Sequence, residues 1–237
     1  MAGNSYFQFK QFVVNQQDCA MKVGTDGVLL GAWFSFPKDG SVLDIGTGTG
    51  LVALMAAQRG AGSVTAVEID EKAASQAMVN VADSPWKERI EVVCSDIAKY
   101  GVEGAKFGAV VCNPPYFRDS LRSPDSVRSQ ARHNDTLSYE ALAESVVRLL
   151  DEEGLFSLVL PSDAATAFVT IAAKRGLYLC RRTNVVTKEG NASKRVLLAF
   201  RKQQLLSFKE DELVMFDADN RETVEYIGLV KDFYLKY

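Results

Sequence analysis

The sequence has little cysteine and none in paired spacing: Cys19, Cys94, Cys112 and Cys180 lie far apart in 237 residues, which excludes a disulfide framework. Cys94 and Cys112 sit inside apolar runs, where a thiol behaves as a small hydrophobe, so all four are expected to be reduced core residues of a cytoplasmic protein. The N-terminal "MAGNSYFQFKQFVV" lacks the apolar stretch of an export signal, and no later run approaches the ~18 residues needed to span a bilayer. No membrane partner is expected. Internal repeats, low-complexity tracts and Pro/Gly/Ser linkers are missing too. One domain over 1–237 is therefore expected, with an N-terminal segment 1–40, a core 41–202 and a C-terminal extension 203–237.

What the sequence does contain is a balanced globular composition, 47% hydrophobic and 24% charged, enough for a full core. Its net charge of -3 hides an asymmetry, because Lys174 to Lys202 holds nine Lys or Arg against Glu189 alone, a local balance of +8 that leaves -11 for the rest.

Short apolar runs alternate with helix-forming segments. "SVLDI" (41–45), "SVTAVEI" (63–69), "IEVVCSD" (90–96), "FGAVVC" (107–112) and "GLFSLVLP" (154–161) read as strands. "LVALMAAQRG" (51–60), "DEKAASQAMVNVA" (70–82), "YEALAESVVRLL" (139–150) and "DAATAFVTIAAKRG" (163–176) read as helices. "YLCRRTNVVT" and "KRVLLAFRK", joined by "KEGNAS", suit an antiparallel hairpin. The tail from Leu205 predicts a strand pair and a final amphipathic helix. This order implies an α/β fold: a Rossmann-like, doubly wound, mostly parallel sheet of seven strands ending in the hairpin, with its ligand at the carboxyl ends of the strands.

Four consecutive strand ends carry the candidate chemistry. "LDIGTGTG" (43–50) places Gly46, Gly48 and Gly50 in a strand-to-helix turn, where backbone N–H groups can meet a ligand. A dinucleotide fingerprint needs a glycine three places past the second, and Leu51 stands there instead. Asp44, an acid beside the turn, disfavours a pyrophosphate and suits a ligand with a positive centre, such as the sulfonium and amino group of S-adenosyl-L-methionine. Glu68 ends the second strand, where an acid accepts from ribose hydroxyls. Asp96 ends the third, where a carboxylate can accept from an adenine amine.

Asn113 ends the fourth, in "VVCNPPYF" (110–117), and Pro114 and Pro115 forbid continuation as strand or helix. An exocyclic amine is a poor nucleophile because its lone pair is delocalised into the ring. Two acceptors aimed at its N–H groups, the Asn113 amide oxygen and the Pro114 carbonyl, would draw the nitrogen toward tetrahedral geometry. Tyr116 offers a ring for the extruded base. A sulfonium is already an activated leaving group, so no metal is required, and the sole histidine, His133, is not expected to act as a base.

"DIGTGTG", Glu68, Asp96 and "NPPY" together resemble the amino-methyltransferases of the class I S-adenosylmethionine-dependent superfamily, whose sheet ends in the same hairpin. With "FQFKQFVVNQQDCAMKVGTDGVLLGAW" (7–33), nearly the whole chain is similar to the bacterial enzymes that methylate N6 of the adenine following the anticodon of a valine tRNA. The resemblance implies a segment before the first core strand that closes over the cofactor's methionine end through Lys22, Thr25 and Asp26. A bland reading of Thr25 and Asp26 is a helix cap. It also implies a tRNA partner, with Arg118, Arg122, Arg128 and Arg132 after the catalytic motif, and Arg181, Arg182, Lys194 and Arg195 in the +8 stretch, as candidate phosphate contacts. "NPPY" leaves other planar nitrogens open, an rRNA base or a protein glutamine amide, as well as a cofactor-binding module without turnover. The oligomeric state is not legible.

Overall fold

The alternating segments form one sheet of eight strands flanked by helices on both faces, in a computed structural model that describes residues 5–17, 19, 21–101, 104–114 and 137–237. The chain opens with a separate hairpin, β1 (Tyr6–Gln8) and β2 (Val13–Asn15), and a helix, α1 (Thr25–Trp33). The core then runs β3 (Ser41–Ile45), α2 (Leu51–Gln58), β4 (Ser63–Glu68), α3 (Glu71–Ala82), β5 (Ile90–Cys94), β6 (Phe107–Cys112), α4 (Tyr139–Leu149), β7 (Leu150–Pro161), α5 (Ala165–Ala173), β8 (Tyr178–Lys188), β9 (Arg195–Arg201), β10 (Lys209–Phe216) and α6 (Val224–Val230).

The strand order is β10-β8-β9-β7-β6-β3-β4-β5. Every neighbouring pair is parallel except those of β9, which runs antiparallel to β7 and β8. This is the expected doubly wound sheet with its hairpin, but the count of seven is corrected to eight. The expected strand pair in the tail is one strand, β10, added to the main sheet. Its first residues are charged, so it shows no apolar alternation. Register explains its place: Glu210 lies opposite Arg182 and Asp211 opposite Thr183, two residues along from Arg181, so carboxylates of β10 meet the guanidiniums of β8.

Two apolar layers bracket the sheet. One holds Val28 to Trp33 of α1, all of α2's apolar residues, the β1–β2 hairpin and Tyr226, Val230 and Phe233 at the C-terminus. The other holds Leu142, Val146 and Leu149 of α4 with Phe168 and Ala172 of α5. Leu51 to Ala57 of α2 are all buried, as a helix apolar on every side must be. Gly31 lets α1 approach α2, since a Cβ there would stand 2.6 Å from the Met55 sulfur. The expectation of four core cysteines is corrected: Cys19 and Cys112 are buried, Cys180 is half-buried, and Cys94 is exposed because β5 is the edge strand. Among the described residues no helix is long and apolar enough to cross a membrane.

Candidate active site at the switch point of the sheet

The strand order reverses between β3 and β6, since β4 and β5 lie to one side and β7 to the other, and a doubly wound sheet opens its ligand crevice at such a point. Register brings the candidate residues level there. Ile45 pairs with Val67 on β4 and with Cys112 on β6, so Gly46, Glu68 and Asn113 each stand one residue beyond a common row. Glu68 in turn pairs with Cys94, two residues before Asp96.

The glycine turn is built from left-handed backbone. Gly46, Gly48 and Gly50 have φ of 68°, 57° and 82°, which L side chains adopt at a cost. A Cβ on Gly46 or Gly48 would meet nothing within 4 Å, so backbone conformation, not crowding by the protein, demands glycine, and space beside the turn is open for a ligand. Gly50 caps α2 in the same conformation and aims the first turn of that helix toward the crevice.

Three carboxylates surround the turn in different settings. Asp44 is 1% exposed and accepts from the Thr47 hydroxyl at 2.6 Å. Burial pushes its carboxyl up to about 7, against the lowering effect of the Thr47 and Ala53 hydrogen bonds, and the nearby charge of Glu68 adds to the rise. Near neutral pH it is therefore divided between its two forms, a refinement of the fixed negative charge expected there. Glu68 is half-buried and held by three backbone N–H groups, Gly48 at 2.8 Å on one oxygen and Ile69 and Asp70 at 2.9 and 3.1 Å on the other. An ionised carboxylate offers about four acceptor directions, so capacity remains for a further donor. Asp96, also half-buried, accepts from Ala98 N–H at 2.9 Å through one oxygen.

Asn113 is half-buried and Pro114 buried at the end of β6. A Cβ on Gly27 of α1 would stand 3.5 Å from the Asn113 amide nitrogen, so the first turn of α1 lies directly against Asn113. Cys112 beside them is fully buried, and its thiol is pushed well up by that burial, which keeps it a neutral packing group. Pro115, Tyr116, Arg118, Arg122, Arg128, Arg132 and His133 lie outside the described residues.

Lys22 and Thr25 are exposed, and Asp26 is half-buried. The helix-cap reading of Thr25 and Asp26 is corrected: Gly24 is the N-cap and no side chain caps α1. Asp26 instead pairs with Arg195 of β9, and burial raises its carboxyl despite that partner. The +8 stretch is largely answered by carboxylates. Arg181 lies over the Trp33 ring at 4.4 Å and pairs with Asp211 at 3.5 Å, and Arg182 pairs with Glu210 at 3.4 Å. Of the four basic residues singled out there, Lys194 alone has no ion pair among the described residues.

Residues 20–163 match the family model described as the methyltransferase small domain. The chain belongs to that family. Over 235 residues this methyltransferase-family chain is 53% identical to the tRNA1(Val) (adenine(37)-N6)-methyltransferase of Bacteroides fragilis, covering 98% of each chain. It is 56% identical over 199 residues to the protein of the same name from Bacteroides thetaiotaomicron, covering 83% of this chain and 84% of that one. A solved structure of a predicted O-methyltransferase from Agrobacterium tumefaciens shares the fold, with a TM-score of 0.67 at 21% identity over 88% of this chain and 96% of that one.

One residue that supports the glycine turn is not legible in the sequence. Asn80 of α3 is 1% exposed and makes three hydrogen bonds: its Oδ1 accepts from Asn15 N–H at 2.8 Å, and its Nδ2 donates to Asn15 O at 2.8 Å and Thr49 O at 2.9 Å. It ties the N-terminal hairpin to the glycine turn. The signal for it was a polar residue on the buried stripe of α3 defined by Ala73, Ala77 and Val81.

Proposed function

We propose that this protein methylates the exocyclic N6 amine of an adenine in tRNA, the adenine that follows the anticodon of a valine tRNA, using S-adenosyl-L-methionine. The observation that carries the reading is the level placement of Asn113 and Pro114 with the glycine turn at the switch point, in a chain 53% identical over its length to a protein of that named activity. The open space at Gly46 and Gly48, the buried acid at Asp44 and the backbone-held Glu68 fit a cationic, adenosine-bearing cofactor. When bound, S-adenosyl-L-methionine supplies a methyl group on a sulfonium, an activated leaving group.

The chain's own residues then bind and orient. Gly46, Gly48 and Gly50 present backbone to the cofactor, Asp44 offers it a negative charge, Glu68 accepts from its ribose hydroxyls and Asp96 from its adenine amine. Lys22, Thr25 and Asp26 act at its methionine end. The Asn113 oxygen and the Pro114 carbonyl accept from the two N–H groups of the target amine and orient its lone pair, with Pro115 holding the carbonyl rigid and Tyr116 stacking on the base. The amine proton passes to water. Segments 1–40, 41–202 and 203–237 act as one methyltransferase domain, a reading supported by β10 and α6 joining the sheet and core of the rest. The protein works in the cytoplasm with tRNA as its macromolecular partner.

Mass spectrometry of tRNA nucleosides from cells with and without the protein tests the substrate, and unchanged N6-methyladenosine would sink the claim. Asn113→Ala tests the chemistry. Turnover should fall at least 100-fold while cofactor affinity stays within about twofold, and surviving turnover would show that the amide does not hold the amine.

A further inference from the structure

A cavity of about 720 Å³ opens beside the first turn of α1, and no residue of the glycine turn, nor Glu68, Asp96 or Asn113, lines it. It is therefore set apart from the glycine turn and the strand-end residues, meets the proposed cofactor site only at Thr25, and stands on the same edge of the sheet. Its walls include Thr25 at the start of α1, Arg195 at the start of β9 and Phe216 at the end of β10. β9 is two places from β6 in the sheet order, and β10 four, so at roughly 4.8 Å per strand the cavity begins about 10 Å to the side of Asn113 and extends to about 20 Å.

Its chemistry combines ring faces with cations. Phe7, Phe216 and Tyr234 give flat apolar surface, and Lys194, Arg195 and Lys236 face a single lining carboxylate, Glu222. Two of these cations are already held, Arg195 by Asp26 and Lys236 by Glu222. Lys194 is exposed and makes no ion pair among the described residues, in a protein whose net charge is -3. Rings beside an uncommitted cation in a concave site are what an unpaired nucleotide uses, the base stacking and the phosphate meeting the ammonium. A volume of that size falls in the ~300–1,000 Å³ range of small-ligand pockets.

We propose that this cavity is a subsite for a nucleotide of the RNA substrate flanking the target adenine, with the base against Phe7 and Tyr234 and its phosphate on Lys194. The inference rests on the proposed tRNA activity. It also distinguishes Lys194 from its neighbours in the +8 stretch: Arg181 and Arg182 are held by carboxylates of β10, and Lys194 is not.

The test compares wild type, Lys194→Glu, Lys194→Ala and Phe7→Leu in methyl transfer to an unmodified valine tRNA transcript. Lys194→Glu should raise the KM for tRNA at least tenfold, and Lys194→Ala should lower the slope of log affinity against log salt by about one. Phe7→Leu should cost several-fold in kcat/KM for tRNA when assayed well below its melting temperature, which falls by a few degrees because Phe7 packs against Phe9 and Tyr234. Cofactor affinity should not move in any of the three. An active wild type with tRNA KM and salt slope unchanged in both Lys194 variants would overturn the subsite alone. A wild type that fails to methylate the transcript would instead remove the proposed activity, and the subsite with it.

Discussion

Asp44→Asn gives the sharpest test of the cofactor site, because one substitution should raise stability and lower function. Asp44 is buried, and its carboxyl stands at about 7 against an ordinary 3.8. The folded value lies above the unfolded one, so the folded chain binds the extra proton between them. The stability that comes with a neutral carboxyl is complete only below about pH 4 and is lost as pH rises through about 7. At about 1.4 kcal/mol per tenfold, the full loss is roughly 4 kcal/mol. Asparagine keeps the size and an oxygen for the Thr47 hydroxyl and never ionises, while its amide nitrogen cannot accept as the second carboxylate oxygen can, at a pH-independent cost of about 1 kcal/mol. The variant should therefore gain about 3 kcal/mol on the wild type between pH 5 and pH 8 and be the more stable at pH 8. For a chain of this length that gain is about 6 to 12 °C in melting temperature. Urea unfolding from pH 4 to 9 without added cofactor measures it. Titration calorimetry at pH 8 should show the opposite sign for S-adenosyl-L-methionine, with affinity down at least tenfold because the charge proposed to face its cationic end is gone. A stability difference that does not change with pH would refute the reasoning, since it would mean that Asp44 titrates at its ordinary value.

Asn80→Ala removes three hydrogen bonds of a buried side chain and should cost about 2 to 4 kcal/mol in urea unfolding, with a weaker cofactor affinity because the carbonyl of Thr49 loses its donor. Unchanged stability would mean that the hairpin is not tied down through this side chain. Gly48→Ala places a side chain at φ of 57° without a clash, so its cost should be backbone strain alone, about 1 to 2 kcal/mol, read by the same unfolding assay. A much larger loss would show that the space beside the turn is closed.

The motifs were legible because each lies at a strand end and the chemistry there is local. Alternation of apolar runs and helices located β3, β4, β5 and β6 to within a few residues, and the doubly wound topology then required their carboxyl ends to share one edge. Pairings made across the sheet were not legible. The charged start of β10 has no strand periodicity, and only its register with Arg181 and Arg182 explains why it pairs with β8. Cys94 reads as a core thiol in an apolar run, yet β5 is the edge of the sheet and leaves it exposed. Asn80 looks like one polar residue on a helix until Asn15 and Thr49 are brought to it from 65 and 31 residues away.

The sequence by itself determined the fold class and located the strand ends proposed to carry the site, Asn113 among them, because those depend on spacing along the chain. Tertiary structure alone decided what surrounds the charges: that Asp44 is buried and its carboxyl pushed up to about 7, that Asp26 is bound to Arg195, and that Lys194 has no ion pair among the described residues while Arg181, Arg182 and Arg195 do. Charge state depends on burial and on partners, and both are set by residues distant in sequence.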